Sequence, residues 1–301
     1  MKLKVFLNCI IRSYVIKIKL FIMNWSQLDT FEKSENLIEF LNNSISELKF
    51  LNSKYLLGKY KCLKKNIDLL NLNKGQDCFV LGNAPSLDQN DISKLRNYKT
   101  FMVNRAVDHP KYDLVNPNYH VIIDPKLVDG TWSLSLIDKI IEKSPNTKLF
   151  LNADWYENKK ILSYKNKIEI YWLKHKTINL FNYKKKTIDL TTIYPSYMVV
   201  EQCITIALFM GFKNIYCFGY EGDGIKNLLN NENMHFDGKD LDYLNSSPYD
   251  ISRAMSANAR FIRTIYLFKE LCENHNANLF NLTPRGILKM INSKKFSSVV
   301  K

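Results

Sequence analysis

The sequence predicts an α/β fold: a Rossmann-like, mostly parallel sheet with helices on both faces. Three observations carry that expectation. From Cys78 onward, short apolar runs alternate with stretches of helical periodicity. The runs are apolar at consecutive positions, as in strands covered on both faces, rather than at every second one. Their carboxyl ends repeatedly carry small or amide-bearing residues, which would make a polar rim on an apolar sheet.

The elements follow in order. Residues 1–74 read as a helical, basic extension with 13 basic and six acidic side chains. Its first stretch, MKLKVFLNCIIRSYVIKIKLFIMNW, is interrupted by Arg12, Lys17 and Lys19. It therefore lacks the run of about 18 apolar residues that a spanning helix needs, and no small-residue cleavage site follows it. On a helical wheel Lys4, Arg12 and Lys19 share one side, away from Phe6, Ile10 and Phe21. That pattern suits a helix lying in a membrane interface near anionic lipid; a helix packed on the protein's own body is the alternative. DTFE (Asp29 to Glu32) has capping-box spacing, and Leu37, Leu41, Ile45, Leu48 and Leu51 then recur at helical intervals. NLNKGQD closes the extension with turn formers.

Residues 75–301 supply the sheet. The expected strands are CFVLG, TFMVN, YHVIID, KLFLN, IEIYW, NIYCFG and NLFNL, with helices over Ser133–Lys143, Tyr197–Met210 and Asp250–Asn274. The 301 residues carry a net charge of +14, but 36 of the 43 basic residues are lysine. Base and phosphate recognition favours the planar arginine fork, so nucleic acid is not the expected partner. The six cysteines form no CxxC pair and read as buried free thiols. With five scattered histidines they assemble no zinc site.

Candidate chemistry sits at the strand ends: Gly82-Asn83, Asn104-Arg105, Asp124-Pro125, Asn152 and Gly219-Tyr220-Glu221. The loop in CFVLGNAPSLD is neither a P-loop, lacking the second glycine and the Lys-Ser/Thr pair, nor a GxGxxG dinucleotide turn. Gly82 permits a tight exit. Asn83 offers a donor and an acceptor, Pro85 stiffens the bend, and Ser86 adds a hydroxyl. Backbone amides at such a bend can hold phosphate without a cation.

GNAPSL (82–87), FMVNR (101–105), ITIALFMGFKNIYCFG (204–219) and MHF (234–236) resemble two related bacterial groups. One is the family of sialyltransferases that build lipooligosaccharide ends and carry a GNGPSL loop. The other is the set of proteins with a flagellin-modifying or pterin-diphosphokinase-like domain. The resemblance spans about residues 75–290. It implies a nucleotide-sugar site at Gly82, Asn83, Ala84, Pro85, Ser86, Asn104, Asp124 and Gly219. In the sialyltransferases the asparagines of the first loop and of the second strand's end bind the CMP part of the donor. A second asparagine, ending the third strand, is here Asp124. The family's general base is a histidine in a lid, expected here at about 220–249, and His235 occupies the comparable place. An imidazole suits that task because it titrates near working pH. Arg105, Tyr220, Glu221 and Asp223 are candidate acceptor-binding or auxiliary residues, while NLFNLTP (278–284) resembles the strand and turn that complete the pocket floor.

The resemblance implies a glycosyltransferase moving an acidic sugar, sialic acid-like or Kdo-like, from a CMP-activated donor to a surface glycan or lipid-linked acceptor. It would use no metal cofactor and would work from the cytoplasm at the inner face of the membrane, held there by the basic N-terminal region. Two other readings stand beside it. One is a pterin-diphosphokinase-like enzyme needing Mg²⁺, with Asp124, Glu221 and Asp223 as conceivable ligands. The other is a non-catalytic interaction module on the same fold. A homo-oligomer is compatible with all three.

Overall fold

A computed structural model describes residues 30–55, 57–178, 187–222, 224–230, 232, 235–236, 248–283 and 288–300; of 30–36, 228, 248–250 and 253 only the backbone is described. The first 29 residues and half of the expected lid, Asp223 included, lie outside these. Among the described residues no helix is long and apolar enough to cross a membrane.

Eight strands form one parallel sheet. They are β1 (Asp77–Leu81), β2 (Lys99–Val103), β3 (Tyr119–Ile122), β4 (Lys148–Asn152), β5 (Ile170–Leu173), β8 (Asn214–Phe218), β9 (Asn278–Asn281) and β10 (Asn292–Ser293), in the spatial order β10-β9-β8-β1-β2-β3-β4-β5. All seven expected strands are present. Two short strands, β6 (His175–Thr177) and β7 (Tyr194–Ser196), pair separately. The consecutive apolar runs arise because both faces are covered: Cys78 through Leu81 and Tyr119 through Ile122 are buried without alternation. Odd and even positions feed two cores, one containing Val80, Phe101 and Cys217, the other Phe79, Met102 and Phe218.

The longer helices are α1 (Thr30–Tyr55), α2 (Ser135–Lys143), α3 (Val199–Phe209), α4 (Gly224–Leu229) and α5 (Pro248–Asn274). Helix α3 is apolar around most of its circumference because it is central; Val200 through Phe209 are all buried. Residues 61–75 belong to the body of the domain. Leu63 and Leu69 are wholly buried, Asn66 Nδ2 donates to the carbonyls of Trp172 and Leu190 at 2.7 Å each, and the amides of Asn71 and Asn73 donate to Phe209 and Met210.

From β1 the chain builds outward to β5, then crosses back to place β8 on the other side of β1. The strand order therefore reverses between β1 and β8. Beyond the carboxyl ends of those two strands a crevice must open, because the connections leave in opposite directions.

Candidate functional site

A cavity of about 530 Å³ occupies that crevice, within the range of small-molecule sites. Gly82 and Gly219 directly follow β1 and β8 and touch. The Gly82 amide donates to Phe218 at 2.8 Å, and the Ala84 amide donates to Gly219 at 3.1 Å. A Cβ on Gly82 would lie 2.2 Å from the Gly219 carbonyl oxygen, and Gly219 itself has φ +65°. Only glycines let these backbones meet, and their meeting sets the depth of the floor.

One wall comes from strand ends: Gly82, Asn83, Ala84, Val103, Asn104, Asp124, with Lys126 just beyond. The Oδ1 atoms of Asn83 and Asn104 are buried and find no partner among the described residues. Each is an acceptor awaiting a donor, and burying one unpaired costs about 1–3 kcal/mol. Asn104 is held in the left-handed region at φ 47°, and His120 keeps it there. The His120 Nε2 lies 2.9 Å from the Asn104 carbonyl oxygen and its Nδ1 lies 2.9 Å from the Tyr112 hydroxyl. A carbonyl only accepts, so Nε2 carries the proton and Nδ1 accepts from Tyr112. Burial lowers the His120 pKa to about 4 and keeps the ring neutral, although its bond to Asn104 pulls the other way. The sequence had suggested no role for His120; a histidine within an apolar run is the signal that could have found it.

The loop itself differs from its expected chemistry. The amides of Gly82, Ala84, Ser86 and Leu87 are all spent within the protein, that of Ser86 on Glu221 Oε1 at 2.8 Å. The phosphate-cradling role foreseen for those amides is taken up by the fold. Pro85 and Ser86 stand behind the wall rather than on it, and Ser86 is almost wholly buried. Arg105 also lies away from the cavity, 3.5 Å from Asp108. Asn152 caps a turn by accepting the Asp154 amide at 3.0 Å.

The opposite wall is helical. The entry into α3 (Tyr197 to Val200) faces the cavity, with Gly224, Ile225 and Asn227 of α4 and Ala254, Ala257, Asn258 and Phe261 of α5. Tyr220 and Glu221 complete the rim, and the Thr283 hydroxyl accepts the Tyr220 amide at 3.2 Å. The positive end of the α3 dipole thus points at a cavity that also holds Lys126, a setting that favours an anionic group.

His235 lines the same cavity. Its neighbour Phe236 fixes it there. The Phe236 amide donates to the Asn83 carbonyl at 2.9 Å, and its ring meets His109 edge-on at 4.9 Å. His109 Nδ1 accepts from the Lys111 amide, so its Nε2–H donates to Asp88 at 3.0 Å. Among the nominated residues, Gly82, Asn83, Ala84, Asn104, Asp124, Gly219, Tyr220, Glu221 and His235 therefore share one cavity.

A family model described as 6-hydroxymethylpterin diphosphokinase MptE-like matches residues 54–222, more than half of the sequence. The chain belongs to this family. The matched region takes in β1 to β8 and the Gly82–Gly219 junction, and it ends at the rim residues Glu221 and Gly222. No curated protein matches. A solved structure titled "Structure of MAf glycosyltransferase from Magnetospirillum magneticum AMB-1" is similar at 12% identity and a TM-score of 0.44. The match covers 87% of this chain and 42% of that one, so the chain spans less than half of that neighbour. A likeness this loose carries no inference about chemistry.

One buried acid of this family member had no counterpart among the sequence expectations. Glu201, wholly buried in α3, lies beneath the helical wall. Its Oε1 accepts from the Tyr220 hydroxyl at 3.2 Å and the Thr264 hydroxyl at 3.0 Å; its Oε2 accepts the Met198 amide at 2.8 Å. Desolvation raises its pKa to about 7 despite these donors. It ties α3, the exit of β8 and α5 together. Of the described cysteines, Cys78, Cys203, Cys217 and Cys272 are buried free thiols, as expected, and Cys62 is half-buried.

A second hollow, about 580 Å³, is lined by Lys61, Lys65, Lys165 and Lys167 among others. It sits where β5 begins, at Ile168 to Ile170. Parallel α/β sheets bind ligands beyond the opposite, carboxyl ends of their strands, so the crevice between β1 and β8 is the candidate site.

Proposed function

We propose that this chain is a glycosyltransferase that moves an acidic sugar, sialic acid-like or Kdo-like, from a CMP-activated donor to a surface glycan or lipid-linked acceptor. The observation that carries this reading is a pair of acceptors, Asn83 Oδ1 and Asn104 Oδ1, that no described residue satisfies, in one cavity with His235. A cytidine offers the donors they lack, ribose hydroxyls and an exocyclic amine. The start of α3 and Lys126 suit its phosphate. The acceptor hydroxyl oxygen attacks the sugar's anomeric carbon and the bond from that carbon to the phosphate oxygen breaks. CMP leaves with the electron pair, and the hydroxyl proton passes to the His235 imidazole. The mainly apolar helical wall fits the less polar parts of donor and acceptor.

The experiment is CMP release from a panel of CMP-sugars, with and without acceptor, in the presence of EDTA. Turnover is expected with at least one donor, and His235→Ala should slow it by about 10²–10⁴-fold while leaving CMP affinity unchanged. A chain that neither binds nor hydrolyses any CMP-sugar overturns the proposal.

Family membership favours a second reading, pyrophosphate transfer from ATP to a pterin. Asp124 and Glu221 both line the cavity, and Mg²⁺ typically takes one or two carboxylates plus substrate phosphates. One oxygen of each is engaged, on the Lys126 and Ser86 amides respectively. ATP-dependent, EDTA-sensitive product formation from a hydroxymethylpterin would select this reading. Activity that survives EDTA would count against it.

A further inference from the structure

Helix α1 is inside out. Its inward face is polar, with Glu39, Asn43 and Ser44 buried beside Phe50. Its outward face carries Leu37, Ile38, Leu41 and Ile45, between 39% and 58% exposed. Two ion pairs fix this rotation. Lys176 of β6 reaches Glu47 at 2.7 Å, with both side chains largely buried, and Arg260 of α5 reaches Glu39 at 3.2 Å. Turning the aliphatic stripe inward would strand those charges away from their partners. The stripe is therefore held toward the outside, where each aliphatic side chain forgoes part of the stabilisation that full burial brings.

We propose that this face is where two copies of the chain meet, α1 against α1. Ile38, Leu41, Ile45 and Leu48 are spaced three, four and three residues apart, the seam of a heptad repeat. Isoleucine alternates with leucine in the a and d places, the arrangement that favours two parallel strands. Of the flanking e and g positions, Ser44 is buried and Leu51 packs on the chain's own core, which leaves Leu37, Asn42 and Lys49 beside the seam, with one charge among them.

Charge separates a second copy from an anionic membrane as the occupant. Helix α1 has four glutamates and three lysines in a chain of net charge +14. Two copies can approach along it without the repulsion that meets them elsewhere, whereas anionic lipid gains no attraction there. The contact is isologous, each copy presenting the same seam.

The test uses the full chain and does not depend on the reading of the site. Sedimentation equilibrium should give twice the chain mass, and the Leu41→Asp/Ile45→Asp variant should halve it while keeping its helical circular dichroism and cooperative melting. Leu41→Cys should form a disulfide-linked dimer on mild oxidation that the unsubstituted chain does not form, which supports the seam whether or not the aspartate variant folds. A monomeric unsubstituted chain, or a dimer that persists in a folded aspartate variant, overturns the proposal. So does binding to anionic phosphatidylserine vesicles that the aspartate substitutions abolish, since that would assign the face to lipid.

Discussion

The two walls of the cavity are built on different principles. The strand-end wall is made of residues at or within four places of the ends of β1, β2 and β3, each located by its own strand, and it shows acceptors that no described residue satisfies. The helical wall is assembled from three separated segments. It shows mainly aliphatic and small side chains and keeps its polar chemistry, Glu201, out of sight behind Tyr220. The first wall is equipped to recognise. The second sets shape and local electrostatics, and it depends on buried hydrogen bonds for its position.

That contrast can be broken most forcefully at the junction both walls share. Gly82→Ala drives a methyl group into the Gly219 carbonyl, so a loss of about 3 kcal/mol or more in urea unfolding is expected, with loss of ligand binding. An alanine tolerated within about 0.5 kcal/mol would mean that the strands do not need this close approach.

Glu201 gives a pH signature for the helical wall. Its pKa is raised in the folded chain from 4.5 to about 7, so folding favours the protonated acid. The associated stability is complete below about pH 4.5 and is lost as pH rises through 7. The span is on the order of 3 kcal/mol. Glu201→Gln should remove this slope from a stability–pH profile, whatever its constant offset. A variant profile parallel to the original would show that Glu201 stays ionised.

His120 gives the opposite signature for the strand-end wall. Its folded pKa is depressed to about 4, so its contribution is present above about pH 6.5 and lost as pH falls toward 4. His120→Phe orphans the Tyr112 hydroxyl and the Asn104 carbonyl. It should cost about 2 kcal/mol at neutral pH, flatten the acid limb, and weaken nucleotide binding by releasing Asn104.

The smallest expected effect sharpens the contrast most. Asn83→Ala removes an acceptor that no described residue uses, so free-chain stability should move by less than about 0.5 kcal/mol. Nucleotide affinity should fall roughly tenfold, about 1.4 kcal/mol.

The strand-end wall was legible in the sequence because a buried strand announces itself by consecutive apolar residues, and its terminus is then fixed to within a residue. Gly82, Asn83, Asn104 and Asp124 could be nominated together on that basis. The helical wall was not legible. Tyr197, Ala254 and Ala257 belong to segments whose proximity depends on how α5 crosses α3, and nothing in their spacing records that crossing. Glu201 read as one more glutamate in a helix, since its burial follows from α3 being central. The amides of Gly82, Ala84 and Ser86 looked free because their partners, Phe218, Gly219 and Glu221, lie more than 130 residues away in the chain. Helix α1 was recognised from its leucine spacing, but that spacing does not record that the fold turns most of the stripe outward.

The most direct measurement is the melting temperature of the chain with saturating CMP, compared with UDP, GDP and ADP, in EDTA and again with Mg²⁺. The account predicts that CMP alone stabilises, by about 2.7 kcal/mol at one hundred times its dissociation constant, and that Asn83→Ala reduces the shift. Stabilisation by ADP with Mg²⁺ and none by CMP would contradict it.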